Sequence, residues 1–259
     1  MPYEKELEVA RSAAAQAAQL ALRHQRAGLK PEDKPDGSPV TLADQECEKL
    51  IAGLLEQAFP MDGLIGEEGA RKESRSGRRW VIDPIDGTRD FVRRDPLWAV
   101  LIALEAGGEA LAGVTHLPLL GHLYSAARGA GVWRDDEPIH VSAIGKPESA
   151  VLCVNGLNRV GRETYGGRLI GWMERFWSVR SMGGAADAMM VAAGEADLWI
   201  ERKAEIWDLA SLQVIVEEAG GRFFDFSGRR TIAGGNAIAC TPGLEPVIEE
   251  FLELPKRHE

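Results

Sequence analysis

The sequence predicts a mixed α/β protein, with an α+β first half over residues 1–145 and an α/β second half over 146–259. Three observations predict it. Small and apolar side chains recur at helical spacing near the start of the chain. Short apolar runs bounded by glycine turns dominate after residue 80, and strand and helix patterns alternate from about residue 145. No flexible linker, repeat or low-complexity segment separates the halves, so they are expected to pack together. A chain of 259 residues is long enough to bury a sizeable core.

The elements follow in order. Leu7, Ala10, Ala14, Ala17 and Ala21 mark one face of a helix over 3–28, which stops near Gly28. Residues 30–40, KPEDKPDGSPV, form a polar loop rich in turn formers. A second helix begins at Thr41, buries Cys47, Leu50, Ile51, Leu54, Leu55 and Ala58, and ends at Pro60. Trp80, Val81 and Ile82 read as a buried strand that Pro84 ends, because proline cannot donate to a sheet ladder. Strands over 97–104 and 111–115 are joined by the Gly107-Gly108 turn, and short strands at 121–127, 131–133 and 139–142 follow. The second half alternates a strand at 150–155, a helix at 162–175, a strand at 177–180, a helix at 184–193 and a strand at 196–200. A helix over 207–219, stopped by Gly220-Gly221, precedes strands at 222–225 and 237–240.

A net charge of −10 offers no basic face for nucleic acid or an anionic membrane, so neither partner is expected. A small phosphorylated substrate is still compatible, because a bound divalent cation reverses the local field. Cys47, Cys153 and Cys240 are far apart and lack zinc spacing, and the start of the chain is charged and helical in character. The apolar run at 97–104 is far too short to span a bilayer. A soluble protein of a reducing cytoplasm is expected.

The chemistry concentrates in WVIDPIDGTRDF, residues 80–91. Asp83 and Asp86 leave the end of an apolar strand together, and two such hard oxygen donors repel each other unless a divalent cation lies between them. Gly87 lets the backbone approach a bound group, and the amides opening the next helix can receive an anion. A metal ion facing a phosphate is the implied chemistry. Glu67 and Glu68 stand in a glycine-flanked loop, and Asp208 opens a helix. With the Ile85 carbonyl, Glu67, Asp83, Asp86 and Asp208 could supply two or three magnesium ions, which favour oxygen ligands in octahedral geometry.

Each residue also has an ordinary explanation. Asp208 could be a helix N-cap, Asp86-Gly87 a turn, and Glu67-Glu68 a solvated loop. Thr41 and Asp44 fit a capping box, or Asp44 could hydrogen-bond Thr88 so that Thr88 orients an attacking water. Asp83 is the hardest to explain as structure. Haloacid-dehalogenase phosphatases use DxDGT with a nucleophilic first aspartate. Here the run is one residue longer, which turns the carboxylates to different faces and disfavours a covalent aspartyl-phosphate.

GEE at 66–68, DPIDGT at 83–88, WDLAS at 207–211 and DGSPVTLAD at 36–44 together resemble the inositol monophosphatase superfamily, in order and spacing over nearly the whole chain. The resemblance implies a layered αβαβα sandwich of the sugar-phosphatase type, Mg2+ dependence, hydrolysis by metal-activated water, and a homodimer. By position, it makes Glu67, Asp83, Ile85, Asp86 and Asp208 the metal ligands, and Gly87 and Thr88 the phosphate contacts. Glu67, Thr88 and Asp44 become the catalytic set, and Glu201, Gly183, Gly184 and Ala185 the substrate contacts. Lys34 resembles the lysine of the family's N-terminal loop. The run from Asp90 to Trp98 and the segment after Trp207 are similar to the histidinol-phosphate phosphatase branch, which makes histidinol phosphate, and hence histidine biosynthesis, the first substrate expectation. Arg94 replaces that branch's usual glycine, and GGAADA at 183–188 departs from its form. Inositol 1-phosphate is the runner-up, and a 3′-phosphoadenosine phosphate ranks lower because no basic residue stands out near the pocket loops. A non-catalytic protein binding the transcription machinery is the alternative of a different class.

Overall fold

In the computed structural model, residues 2–28, 32–33 and 39–254 are described, and Lys34 and residues 36–38 of the DGSP run lie outside them. Helix α1 (Glu4–Ala27) is followed by the paired strands β1 (Glu32–Asp33) and β2 (Pro39–Val40), then by α2 (Leu42–Ala58). Strands β3 (Gly63–Gly66), β4 (Arg71–Lys72) and β5 (Arg78–Asp86) lead to α3 (Thr88–Arg93). A meander of β6 (Ala99–Ala106), β7 (Glu109–Leu117), β8 (His122–Ala127), β9 (Gly131–Arg134) and β10 (Glu137–Pro138) completes an eight-stranded sheet in the order β10-β9-β8-β7-β6-β5-β3-β4.

The second half contributes β11 (Val151–Asn155), α4 (Gly166–Met173), β12 (Ser178–Arg180), α5 (Gly184–Ala192), β13 (Leu198–Glu201) and α6 (Ile206–Glu218). Strands β14 (Arg222–Phe224) and β15 (Ala237–Cys240) and helix α7 (Glu245–Leu252) follow. Its five-stranded sheet has the order β12-β11-β13-β15-β14.

Alternation along the strands explains the layers. Trp80, Ile82, Val100, Ile102 and Leu104 face the alanine stripe of α1 and the apolar stripe of α2. Val81, Ala99, Leu101 and Ala103 face the opposite way, onto α5 and α6, whose other side meets Cys153, Trp199, Ala237 and Ala239 of the second sheet. Leu152, Val154, Leu198, Ile200 and Ile238 turn outward again, onto Leu169 and Trp172 of α4 and Ile248 and Phe251 of α7. The result is the αβαβα layering that the resemblance implies. Helix α6 is buried from Leu209 through Val216, the polar Ser211 and Gln213 included, because a sheet covers it on each side. Among the described residues, no helix is long and apolar enough to cross a membrane.

Several sequence expectations are corrected. Strand β5 does not end at Pro84 but runs through it to Asp86. The register with β6 shifts between Asp83 and Asp86, so the proline sits in a bulge where no ladder donor is required. Residues 139–142 are not a strand: the Val141 amide bonds the Ala219 carbonyl and its side chain packs beside Gly220 and Gly221 at the end of α6. The helix expected over 162–175 begins only at Gly166, after a 3-10 segment at Leu157–Arg162. Helix α7 and strands β3 and β4 were not anticipated.

One close approach fixes α6 against the first sheet. A Cβ on Gly113 of β7 would lie 2.7 Å from Val214 Cγ1, 2.9 Å from Ser211 Cα and 3.0 Å from the Ser211 carbonyl oxygen. Because backbone cannot yield as a side-chain tip can, Gly113→Ala should destabilise the protein by about 1–3 kcal/mol. A denaturation midpoint unchanged by this substitution would contradict such tight packing.

Candidate active site

The end of β5 builds the first wall. Asp83 is fully buried; its Oδ1 accepts the Ile85 amide at 3.0 Å, an Asx turn that carries the chain around Pro84. Asp86 follows as the last strand residue, and Gly87, at φ 80°, makes the left-handed turn into α3. A side chain on Gly87 would also crowd Asp90, whose Oδ2 lies 3.2 Å from the position of a Cβ.

Asp208 arrives from the second half. It is not the N-cap of α6: Glu205 occupies that position, and the Glu205 amide donates to Asp208 Oδ2 at 2.7 Å. This bond fixes the rotamer and leaves the other oxygen to the site. One carboxylate oxygen each from Asp83, Asp86 and Asp208 lies within 4.8 Å of the others. Glu67 follows β3 in the adjacent loop, where its amide donates to the Ile82 carbonyl of β5 at 3.1 Å. The Arg71 guanidinium bonds the carbonyls of Gly66 and Ala70 and lies 5.8 Å from the Trp207 ring, so the Glu67 loop and the start of α6 share a contact.

Crowded carboxylates in a dry place resist ionisation. Burial, then the charges of Glu67, Asp86 and Asp208, hold Asp83 well above the ordinary carboxylate range. Burial raises Asp86 to about 6, with Glu67 and Asp90 adding to it while the Ala185 amide opposes. Burial and then Asp86 raise Asp208 to about 8. Among the described residues, Asp83 Oδ2 is buried with no hydrogen-bond donor on it.

Asp44 makes both of the hydrogen-bonding arrangements open to it in the sequence, one oxygen for each. Oδ2 accepts the Thr41 amide at 2.8 Å and the Thr41 hydroxyl at 2.6 Å, closing the capping box. Oδ1 accepts the Thr88 hydroxyl at 3.3 Å, and that hydroxyl is also 3.3 Å from the Ile85 carbonyl.

The other wall comes from the second sheet and α5. Glu201 ends β13 and pairs in parallel register with Asn155 of β11, whose Nδ2 donates to Glu201 Oε2 at 2.6 Å. Burial raises Glu201 to about 7, against the pull of Asn155 and of the Lys203 amide. A Cβ on Gly184 would sit 3.6 Å from both Asp86 Oδ2 and Glu201 Oε2, so the missing side chain keeps these carboxylates facing one space. Gly183 caps α5, and the Ala185 amide donates to Asp86 Oδ2 at 3.2 Å. The cavity between these walls is about 80 Å³ and is lined by Asp86, Asn155, Gly184, Glu201, Lys203 and Asp208 among others. A larger depression of about 900 Å³ lies elsewhere, over β14 and α7, and shares no residue with the carboxylate cluster.

The proposed site residues therefore converge from both halves of the chain. The inositol monophosphatase family model matches residues 3–254. The chain belongs to the inositol monophosphatase family. It is accordingly a metal-dependent phosphoric monoester hydrolase. It is 38% identical over 234 residues to a histidinol-phosphatase of Chlorobaculum parvum, covering 90% of each chain. It is 34% identical to an inositol-1-monophosphatase of Mesorhizobium japonicum, over 86% of this chain and 85% of that one. The crystal structure of the extragenic suppressor protein SuhB from Bartonella henselae superposes with a TM-score of 0.90 at 32% identity, covering 96% of this chain and 99% of that one.

The donor set of this family member suits a hard divalent cation. Three carboxylate oxygens converge, Asp83 keeps one oxygen without a donor, and all three groups are held away from ionisation by one another and by burial. Two lining residues went unnoticed in the sequence. Asn155 matters only through its pairing with Glu201, and Lys203 lines the cavity beside it.

Proposed function

We propose that this phosphatase is magnesium-dependent and hydrolyses histidinol phosphate, in histidine biosynthesis. The observation that carries the substrate reading is Glu201, a buried carboxyl lining the cavity with its pKa raised to about 7. An ammonium-bearing alcohol would draw it into the charged form and pair with it. The 38% identity to a histidinol-phosphatase supports the same reading. Inositol 1-phosphate is the second candidate, on the 34% identity to an inositol-1-monophosphatase.

In this proposal Glu67, Asp83, Asp86, Asp208 and the Ile85 carbonyl would hold two or three Mg2+ ions. When bound, such ions provide positive charge for the phosphate and lower the pKa of coordinated water. The amides of Gly87 and Thr88 orient the phosphate at the start of α3. The Thr88 hydroxyl, donating toward Asp44, presents its lone pairs to the site and can accept a hydrogen bond from the attacking water. Asp44 thereby fixes the direction of that proton chain. Glu67 is the third member of this catalytic group. Glu201, Gly183 and Gly184 receive the alcohol, and Ala185 acts through its bond to Asp86. The two halves, 1–145 and 146–259, form two domains that meet at this site. A cytoplasmic homodimer completes the proposal.

Initial rates of phosphate release from histidinol phosphate, inositol 1-phosphate and 3′-phosphoadenosine phosphate, under equal magnesium, test it directly. The first should be fastest, and Glu201→Gln should raise its KM about 10-fold, with a smaller effect for inositol 1-phosphate. Faster release from inositol 1-phosphate would replace the substrate.

A further inference from the structure

We propose that Glu48 is a positioning residue that sets the Glu67 loop against the Asp83–Thr88 segment. This inference rests on the metal-dependent phosphatase reading. Glu48 is 3% exposed, an unusual burial for a glutamate in the middle of an otherwise amphipathic helix. Arg71 bonds the Gly66 and Ala70 carbonyls and so spares the carboxylate for another use. That use is the backbone of the loop: Glu48 Oε2 accepts the Glu68 amide at 2.7 Å, and Oε1 accepts the Ala70 amide at 2.6 Å. Both oxygens are engaged on the segment that follows Glu67. The Glu67 amide itself is tied to Ile82 of β5 at 3.1 Å. The residue is thus held on one side by the strand that carries Asp83 and on the other by α2.

Gly66 makes room for this grip. A Cβ there would fall 2.2 Å from Glu48 Oε2 and 2.5 Å from its Cδ, so no larger residue fits while the carboxylate stays on its two amides. One turn earlier on the same face of α2, Asp44 bonds Thr88. Two buried carboxylates four residues apart on a rigid helix therefore each hold one loop of the site. The helical rise fixes the separation of those loops, and hence where Glu67 stands relative to Asp83, Asp86 and Thr88. Glu48 touches neither substrate nor the reacting atoms. Its effect passes through the loop, as with groups that orient a metal ligand from behind.

The test is calorimetric titration of the full-length protein with Mg2+ or Mn2+, read beside the thermal midpoint. Glu48→Gln keeps the shape but turns an NH2 group toward one of the two amides, and should weaken cation binding about 10-fold. Gly66→Ala, which leaves Glu48 in place but pushes its carboxylate off the loop, should weaken binding to a similar degree. The double variant should lose little more than the worse single one, because both act on one contact. Ile51→Val, a buried change on the same helix at an apolar side chain that makes no hydrogen bond to the loop, should lower the midpoint while leaving cation affinity unchanged. Affinity within twofold of wild type in both Glu48→Gln and Gly66→Ala overturns the inference, as does an equal loss of affinity in Ile51→Val. If Glu48→Gln does not fold, Gly66→Ala decides alone. Wild-type protein that takes up no cation would sink the phosphatase reading and this inference together.

Discussion

Asp83→Asn should reduce phosphate release about a thousandfold and at the same time make the metal-free protein more stable. The two effects share one cause. The Asp83 carboxyl is fully buried, lacks a donor on Oδ2, and faces the charges of Glu67, Asp86 and Asp208. Without a cation, such a group is a liability to the fold, because burial and like charges both oppose its ionised form. Asparagine has nearly the same shape. Its carbonyl can still accept the Ile85 amide, and its NH2 group supplies a donor toward the neighbouring carboxylates. Stability of the metal-free protein should rise by about 1–3 kcal/mol. Activity should fall because, on the proposed ligand assignment, a charged donor to the ions is gone, a thousandfold loss being about 4 kcal/mol of transition-state stabilisation. The measurements are a denaturation midpoint in EDTA and an initial rate in magnesium. A variant that loses stability and activity together would show that Asp83 supports the fold rather than strains it.

That trade-off is why Asp83 was legible from the sequence: a carboxylate directly after an apolar run has no comfortable structural role. Asp86, Gly87 and Thr88 were legible because they stand together in one turn, although the partners that hold two of them, Ala185 and Asp44, lie far off in the chain. The layers were legible wherever alternation or helical spacing was strong, as in α1, α2 and β5 to β7. What escaped was non-local. Asn155 gains meaning from the parallel pairing of β11 with β13, which brings it opposite Glu201 from 46 residues away. Glu48 reads as an ordinary charged helix residue until the Glu67 loop is folded over it. The passage of β5 through Pro84 depends on a bulge against β6, and no local rule places a bulge. Residues 139–142 have the apolar character of a strand but spend it on the end of α6. The αL conformation of Arg94 at the C-cap of α3, φ 62°, is one that glycine adopts without strain, which explains why a glycine is at home there; Arg94 takes it with its guanidinium donating to the Gln25 carbonyl at 3.4 Å.

The same crowding predicts how stability depends on pH. Asp86, Glu201 and Asp208 are raised in the folded protein to about 6, 7 and 8, from ordinary values of 3.8, 4.5 and 3.8. Asp83 is raised too. Between about pH 4 and 8 the folded chain therefore holds protons that the unfolded chain has released. With more protons on the native state, unfolding free energy falls as pH rises, so this contribution is full below the unfolded values and lost as each folded pKa is passed. Asp44, Glu48 and Asp90 shift in the same direction. His116, pushed down by burial, opposes the trend below its ordinary value, and Asp135 and Asp225 are lowered and act only at more acidic pH. In EDTA the thermal midpoint should therefore decline from pH 5 to pH 8, by an amount equivalent to a few kcal/mol. Magnesium favours the ionised carboxylates, so its stabilising effect should be small at pH 5 and grow toward pH 8, flattening the decline. Midpoints that rise with pH in EDTA, or a magnesium effect of equal size at both ends, would remove the carboxylate cluster as the source of the strain.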